Sequence, residues 1–112
     1  MKMQVITHNQ IIGFHCWPSA PDEYSYLKDI HRHVFVIRCR FDVEHSDRDI
    51  EINDMQDRIE YEIKRHFGSY EAKGVDFGVC SCEDIAMFCI NTFGCCECEV
   101  LEDGFGGAYV RC

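Results

Sequence analysis

Three histidines are the residues of this chain best suited to chemistry: His31 and His33, separated by Arg32, and the earlier His15. Side chains alternate between the two faces of an extended strand, so histidines at i and i+2 look the same way. Residues 31–33 open the run His31-Arg32-His33-Val34-Phe35-Val36-Ile37, whose apolar continuation reads as strand. If the segment Gly13-Phe14-His15 lies alongside as a neighbouring strand, its imidazole supplies a third nitrogen. Three neutral imidazoles converging at about 2.0–2.1 Å, with a fourth position open, present a catalytic zinc rather than a closed structural one. Zinc held by His15, His31 and His33 is therefore the expectation. The competing reading of an isolated His-x-His is a pair of rings closing the edge of the core, hydrogen-bonded to backbone.

The elements that must position these rings follow from periodicity. A first strand is expected from about Met3 to Phe14, interrupted at His8-Asn9-Gln10, with Ile11, Ile12 and Phe14 carrying apolar character up to His15. Both prolines of the chain fall in Trp17-Pro18-Ser19-Ala20-Pro21-Asp22-Glu23, which can be neither helix interior nor central strand. Tyr24 to Asp29 could form a short helical turn. From His31 to Val43 the alternation is clean, with His31, His33, Phe35, Ile37, Cys39, Phe41 and Val43 on one face and Arg32, Arg38, Arg40 and Asp42 on the other. The histidines thus sit at one end of the core-facing row.

After the polar turn Glu44-His45-Ser46-Asp47-Arg48 the period changes from two to 3.6. Ile52, Met55, Ile59, Ile63 and Phe67 make one helical stripe, with Lys64, Arg65 and His66 in the last turn, where they suit the helix dipole, and Gly68 as its end. Residues 69–79 read as a loop. Ser81-Cys82-Glu83-Asp84 opens a second helix with a capping-box pattern, its stripe being Ile85, Phe88, Cys89 and Phe93 and its stop Gly94. A strand from about Cys95 to Leu101, a turn at Gly104-Phe105-Gly106-Gly107 and a last strand from Ala108 to Cys112 complete the chain. The order ββααββ predicts an α+β fold, a four-stranded antiparallel sheet with two helices on one face, in a single domain spanning residues 1–112.

Composition narrows the partners. A net charge of −9, from 20 acidic against 11 basic residues, excludes the clustered cations that phosphate neutralisation needs, so no nucleic acid is expected, and an acidic surface disfavours anionic membranes. Neither a signal-like apolar segment nor an apolar run of membrane-spanning length occurs, which points to the cytosol. Nine cysteines would suggest a disulfide framework in a secreted chain, but the odd number and that compartment argue against one. Cys80, Cys82, Cys95, Cys96 and Cys98 lack the Cys-x2-Cys pairs of zinc ribbons and read as small hydrophobes of the core or of strand faces.

With these elements in place, the chain resembles the 6-pyruvoyltetrahydropterin synthase and 6-carboxytetrahydropterin synthase family. A histidine near the end of that family's first strand and a His-Gly-His on its second bind zinc, and His15 and His31-Arg32-His33 match them. Asp49-Ile50-Glu51-Ile52 is similar to the approach to the family's first helix. Ser81-Cys82-Glu83-Asp84-Ile85-Ala86 is similar to its Thr-x-Glu-Asn-x-Ala helix start. Val100-Leu101-Glu102 followed by Ala108-Tyr109 resembles its closing segment, whose glutamate anchors the pterin ring. The resemblance implies the tunnelling fold, assembly into homo-oligomers (trimers or hexamers), zinc as cofactor and Glu102 as the ligand-binding residue. A carboxylate can accept two parallel hydrogen bonds from the amidine edge of a pterin or guanine ring.

The chain departs from the family where the proton is moved. The family's cysteine base lies four residues before the first histidine of the pair, and Leu27 stands there; an apolar side chain cannot take a proton. The family's Leu-Asp-His segment is also missing. Glu23, Tyr24, Tyr26, Asp29 and His66 are left as substitute candidates, and Cys16 reads as structural because alternation points it away from the face of His15. Two functions remain open. One is a zinc-dependent carbon-oxygen lyase acting on a pterin or a 7-deazaguanine-pathway compound; the other is a non-catalytic module that sequesters or senses a pterin, nucleobase or nucleotide. A structural oligomer stabilised by zinc is the blandest reading.

Overall fold

Two thirteen-residue strands, β1 (Met3–His15) and β2 (His31–Val43), form the spine of the protein in a computed structural model that describes residues 1–112. They pair antiparallel in continuous register, from Met3 opposite Val43 to His15 opposite His31. The expected break at His8-Asn9-Gln10 does not occur. Thr7 and Asn9 take inward positions between apolar neighbours, and the side-chain amide of Asn9 donates to the Gln56 carbonyl at 3.0 Å while the His8 backbone N–H donates to the Gln56 side chain at 2.9 Å. The inward row of β1 therefore runs through Ile11 and Gly13 to His15, and Ile6 and Ile12 face outward.

The helices begin and end on the signals read from sequence. In α1 (Ile52–Phe67) the Glu51 carboxylate caps the first turn by accepting from the Asn53 and Asp54 N–H groups, and Ile59 and Ile63 are fully buried. In α2 (Cys82–Phe93) Ser81 and Asp84 form a reciprocal capping box, and Gly94 closes the helix in the left-handed region at φ 73°. Between these helices lie the strands β3 (Ser69–Tyr70) and β4 (Gly74–Gly78), where a loop was expected. The chain ends in β5 (Glu97–Glu102) and β6 (Gly106–Arg111).

The expected four-stranded antiparallel sheet with two helices is thus corrected. The sheet has six strands in the order β3-β4-β1-β2-β5-β6, it is mixed because β4 runs parallel to β1, and a 3₁₀ helix at Asp22–Leu27 makes a third helical element. The physical reason is the short stretch 74–78. Val75 and Phe77 are almost completely buried and add to the core row that β1 and β2 begin, while the glycines on either side let a strand this brief turn away. Gly13 admits this packing: a Cβ there would lie 2.6 Å from Phe77 Cδ2 and 2.9 Å from Phe35 Cδ2.

Both helices pack on the sheet, α1 against β1 and β4 and α2 against β5 and β6. The core between them includes Phe35, Ile37, Phe77, Ile85 and Val100, together with Cys39, Cys82, Cys89, Cys95 and Cys98. All nine cysteines are free thiols. On the opposite face β2 and β5 carry the cross-strand pair Arg38–Glu99 at 3.3 Å. No helix is long and apolar enough to cross a membrane.

Candidate metal centre

The last rung of the β1–β2 ladder pairs His15 with His31, and β2 then places His33 one alternation further on the same face. Their rings lie 4.6–5.3 Å apart by centroid, each turned nearly edge-on to the others. Beneath them, Phe35 meets His15 at 5.1 Å and His33 at 5.7 Å and rests in turn on Phe77 at 4.8 Å. The three imidazoles are therefore held on a packed aromatic floor rather than on mobile loops. Glu102 arrives from the end of β5, directly opposite Phe35 in the ladder. The four side chains offer one ligand atom each, all within 4.8 Å of one another.

Each ring is fixed by its far nitrogen. His15 Nδ1 bonds the Cys80 carbonyl at 2.9 Å, His31 Nδ1 the Asp29 carbonyl at 2.8 Å, and His33 Nδ1 the Asp103 carboxylate at 2.7 Å. Carbonyls and carboxylates only accept, so each Nδ1 carries the proton and donates. In the neutral ring this leaves the Nε2 lone pair bare and aimed inward, as a metal-ligating histidine requires. Burial holds the His15 pKa below its ordinary value, outweighing the raising effects of the Cys80 carbonyl and of Glu102, and the neighbouring His31 and His33 lower it further. A neutral His15 is the form that ligates.

The Glu102 carboxylate completes the set. Its Oε2 lies 3.5 Å from His15 Nε2 and 2.7 Å from His33 Nε2. The second distance is that of an ion pair, yet His33 Nε2 is a buried nitrogen with no hydrogen-bond partner. Two bare acceptors this close repel, so a cation, whether a proton or a metal ion, must lie between them. A tetrahedral ion with bonds of about 2.0–2.1 Å sets its ligand atoms about 3.3 Å apart, close to the His15–Glu102 separation, and His33 and Glu102 would part by about half an ångström to share it. The residues present fit a metal ion.

A cavity of about 440 Å³ opens beside this group, lined by His15, His31 and Glu102 and by Cys16, Trp17, Leu27, Cys80 and Cys82. Trp17 stacks on Tyr24 with ring centroids 6.5 Å apart. Leu27 thus lines the wall, where the resemblance expects a cysteine. Cys16 also lines it, contrary to the alternation argument, because β1 ends at His15 and the chain turns to bond the Gly78 carbonyl through the Cys16 N–H. The Cys82 thiol contacts Glu102 Oε1 at 3.8 Å; burial first, and then the charge of Glu102, pushes its pKa up to about 12.

The other sequence candidates stand apart from the metal group. Glu23, Tyr24 and Tyr26 lie exposed on the 3₁₀ helix, and Asp29 contributes its backbone carbonyl rather than its carboxylate. His66 stacks on Phe88 at 4.5 Å, at the end of α1. Sequence reasoning missed Asp103 and the Cys80 carbonyl. Asp103 occupies a left-handed turn position at φ 55°, and its second oxygen accepts the Val34 N–H at 2.8 Å. That backbone hydrogen bond, followed by the one from His33, lowers the pKa of its carboxyl. Its one visible signal was an aspartate immediately after Glu102 and before Gly104, a turn-forming pattern. The chain matches no protein-family model, and no curated protein matches it.

Proposed function

We propose that this chain binds zinc through His15, His31 and His33 and holds a planar nitrogen heterocycle, a pterin or related purine-like ring, in the adjoining cavity. The observation that supports the metal most directly is the convergence of three Nε2 atoms whose Nδ1–H groups are each tied down, with Glu102 at the fourth position. Three imidazoles and a carboxylate suit zinc better than the oxygen-seeking magnesium or calcium. Zinc bound there supplies a Lewis acid for polarising a substrate oxygen. The ring class rests on the resemblance to the 6-pyruvoyl- and 6-carboxytetrahydropterin synthases, in which a glutamate matching Glu102 anchors the pterin. Glu102 is partly exposed and borders both the imidazoles and the cavity, so its carboxylate can turn between them.

Binding without turnover is the reading the cavity favours. Leu27 lines its wall where the resemblance expects the cysteine base and cannot accept a proton, and Cys82, which also lines it, holds its proton with a pKa pushed up to about 12. The same resemblance supports assembly into trimers or hexamers, which analytical ultracentrifugation tests.

Metal analysis of the purified protein is expected to find one zinc per chain, lost in the His31→Ala/His33→Ala variant. Zinc well below stoichiometry and unchanged by that substitution overturns the site. Calorimetry with a pterin and with guanine is expected to show binding weakened by Glu102→Ala, and no binding of either ring removes the ligand class. Incubation with dihydroneopterin triphosphate is expected to leave it intact. Release of triphosphate would establish the lyase instead.

A further inference from the structure

A second group of ligating atoms lies in the core, remote in chemistry from the histidines. Cys39 from the middle of β2, Cys89 from α2 and Cys98 from β5 bring their three sulfurs within 4.8 Å of one another. All three residues are completely or almost completely buried, and none is in a disulfide. Cys39 and Cys98 are direct cross-strand partners, and Cys89 descends on them from the helix that covers β5. We propose that Cys39, Cys89 and Cys98 form a three-thiolate site for a thiophilic divalent ion of the zinc type.

Geometry carries this further than packing alone. Zinc–sulfur bonds are about 2.3 Å, so two sulfurs on one tetrahedral ion stand about 3.8 Å apart. The Cys39 and Cys98 sulfurs are separated by 3.8 Å. A small apolar side chain at any one of these positions would satisfy the core. Three thiols from three different elements with their sulfurs within 4.8 Å of one another go beyond what hydrophobic packing asks of cysteine.

The sequence hides such a site because its ligands are not a Cys-x2-Cys pair. Cys39 and Cys98 meet only through strand register, and Cys89 only through the phase of α2. In the metal-free protein the Cys89 pKa lies above the usual thiol range, because the hydrogen bond with Cys39 and burial together outweigh the lowering effect of the hydrogen bond with Cys98. Uptake of one divalent ion by three cysteines releases their three protons and leaves the group with a single net negative charge.

Cadmium-113 NMR on the reduced, full-length wild-type protein tests the proposal without a core substitution. Two resonances are expected after loading with cadmium. One is the shielded signal of nitrogen and oxygen ligands at the histidine group, and the other is the strongly deshielded signal of thiolate ligands. The His31→Ala/His33→Ala variant is expected to lose only the first, so failure of the histidine site and failure of this one are separable. The Cys80→Ser/Cys82→Ser variant is expected to keep the deshielded signal, and Cys39→Ser, with its helical circular dichroism intact, to lose it. A wild-type spectrum without any thiolate resonance overturns the site. So does a thiolate resonance that disappears with Cys80→Ser/Cys82→Ser, which would assign the sulfurs to the cavity wall. A protein that isolates with a Cys39–Cys98 disulfide and takes up no second cadmium after reduction overturns it equally.

Discussion

Replacing Asp103 with asparagine should cost the histidine site one of its three nitrogens without moving an atom of the backbone. The carboxylate divides its oxygens between two donors, Oδ2 to His33 Nδ1–H at 2.7 Å and Oδ1 to the Val34 N–H at 2.8 Å. Asparagine has one acceptor oxygen and one amino group for the same two partners. The Val34 N–H can only donate, so the amide oxygen stays there and the amino group faces His33. An amino group also only donates, so His33 Nδ1 must accept and the neutral ring must carry its proton on Nε2, the nitrogen that points at the metal. Asparagine tolerates the left-handed turn at φ 55° as well as aspartate does, so the substitution leaves the fold in place. Loss of an orienting partner of this kind weakens metal binding by about 10–100-fold, about 1.4–2.7 kcal/mol. Zinc affinity by competition with a chelator at fixed pH measures the loss, and nitrogen-15 NMR of the histidine rings reads the tautomer in the metal-free protein. An Asp103→Asn protein that binds zinc within about twofold of wild type, with His33 still protonated at Nδ1, would refute the tautomer argument.

Other perturbations test the packing around the site. Gly13→Ala forces a methyl group against the Phe77 and Phe35 rings, both fully buried, and should cost about 1–3 kcal/mol in urea unfolding; a neutral result would mean that the aromatic floor is soft. Ser81→Ala removes the acceptor for the Asp84 N–H and should cost about 1 kcal/mol while leaving the histidine site intact, as denaturant titration beside zinc binding will show. The Tyr109 hydroxyl donates to the Glu97 carboxylate, which raises its pKa above the ordinary 10.0. In carbon-13 NMR of labelled tyrosines, Glu97→Gln should return that residue to the usual range, and an unchanged titration would rule out the hydrogen bond as the cause.

The long strands, the helices and the histidines were legible because their signals are local. His31 through Val43 alternates apart from the outward valines Val34 and Val36, α1 and α2 carry stripes and caps, and an i, i+2 spacing on a strand decides by itself that two rings share a face. What escaped was non-local or brief. β4 offers only Val75 and Phe77 as inward residues between two glycines, and its parallel pairing with β1 joins segments far apart in sequence. Missing β4 meant missing the Cys80 carbonyl, since the turn after that strand is what brings it to His15 Nδ1. Thr7 and Asn9 obscured the register of β1 because their inward places are polar, and the partner of Asn9 lies on a helix almost fifty residues away. Glu102 came into view through the resemblance alone. Nothing in its immediate neighbours shows that strand register sets it opposite Phe35 and against two imidazoles.

The ladder between β1 and β2 is continuous, yet its two ends differ in what can hold them shut. At one end Met3 faces Val43, and the nearest side-chain bridge is the exposed hydrogen bond from Gln4 to Asp42 one rung in. At the other, His15 and His31 close the ladder where residues 16–30 leave it and return. An ion gripped by both rings would staple the base of that excursion. At a concentration a hundred times its dissociation constant it would add about 2.7 kcal/mol to the folded state. Local opening falls unevenly along a structure, so amide exchange at the His15 rung should slow sharply on loading while the Met3 rung exchanges as before. A single pair of strands would then unzip from one end only.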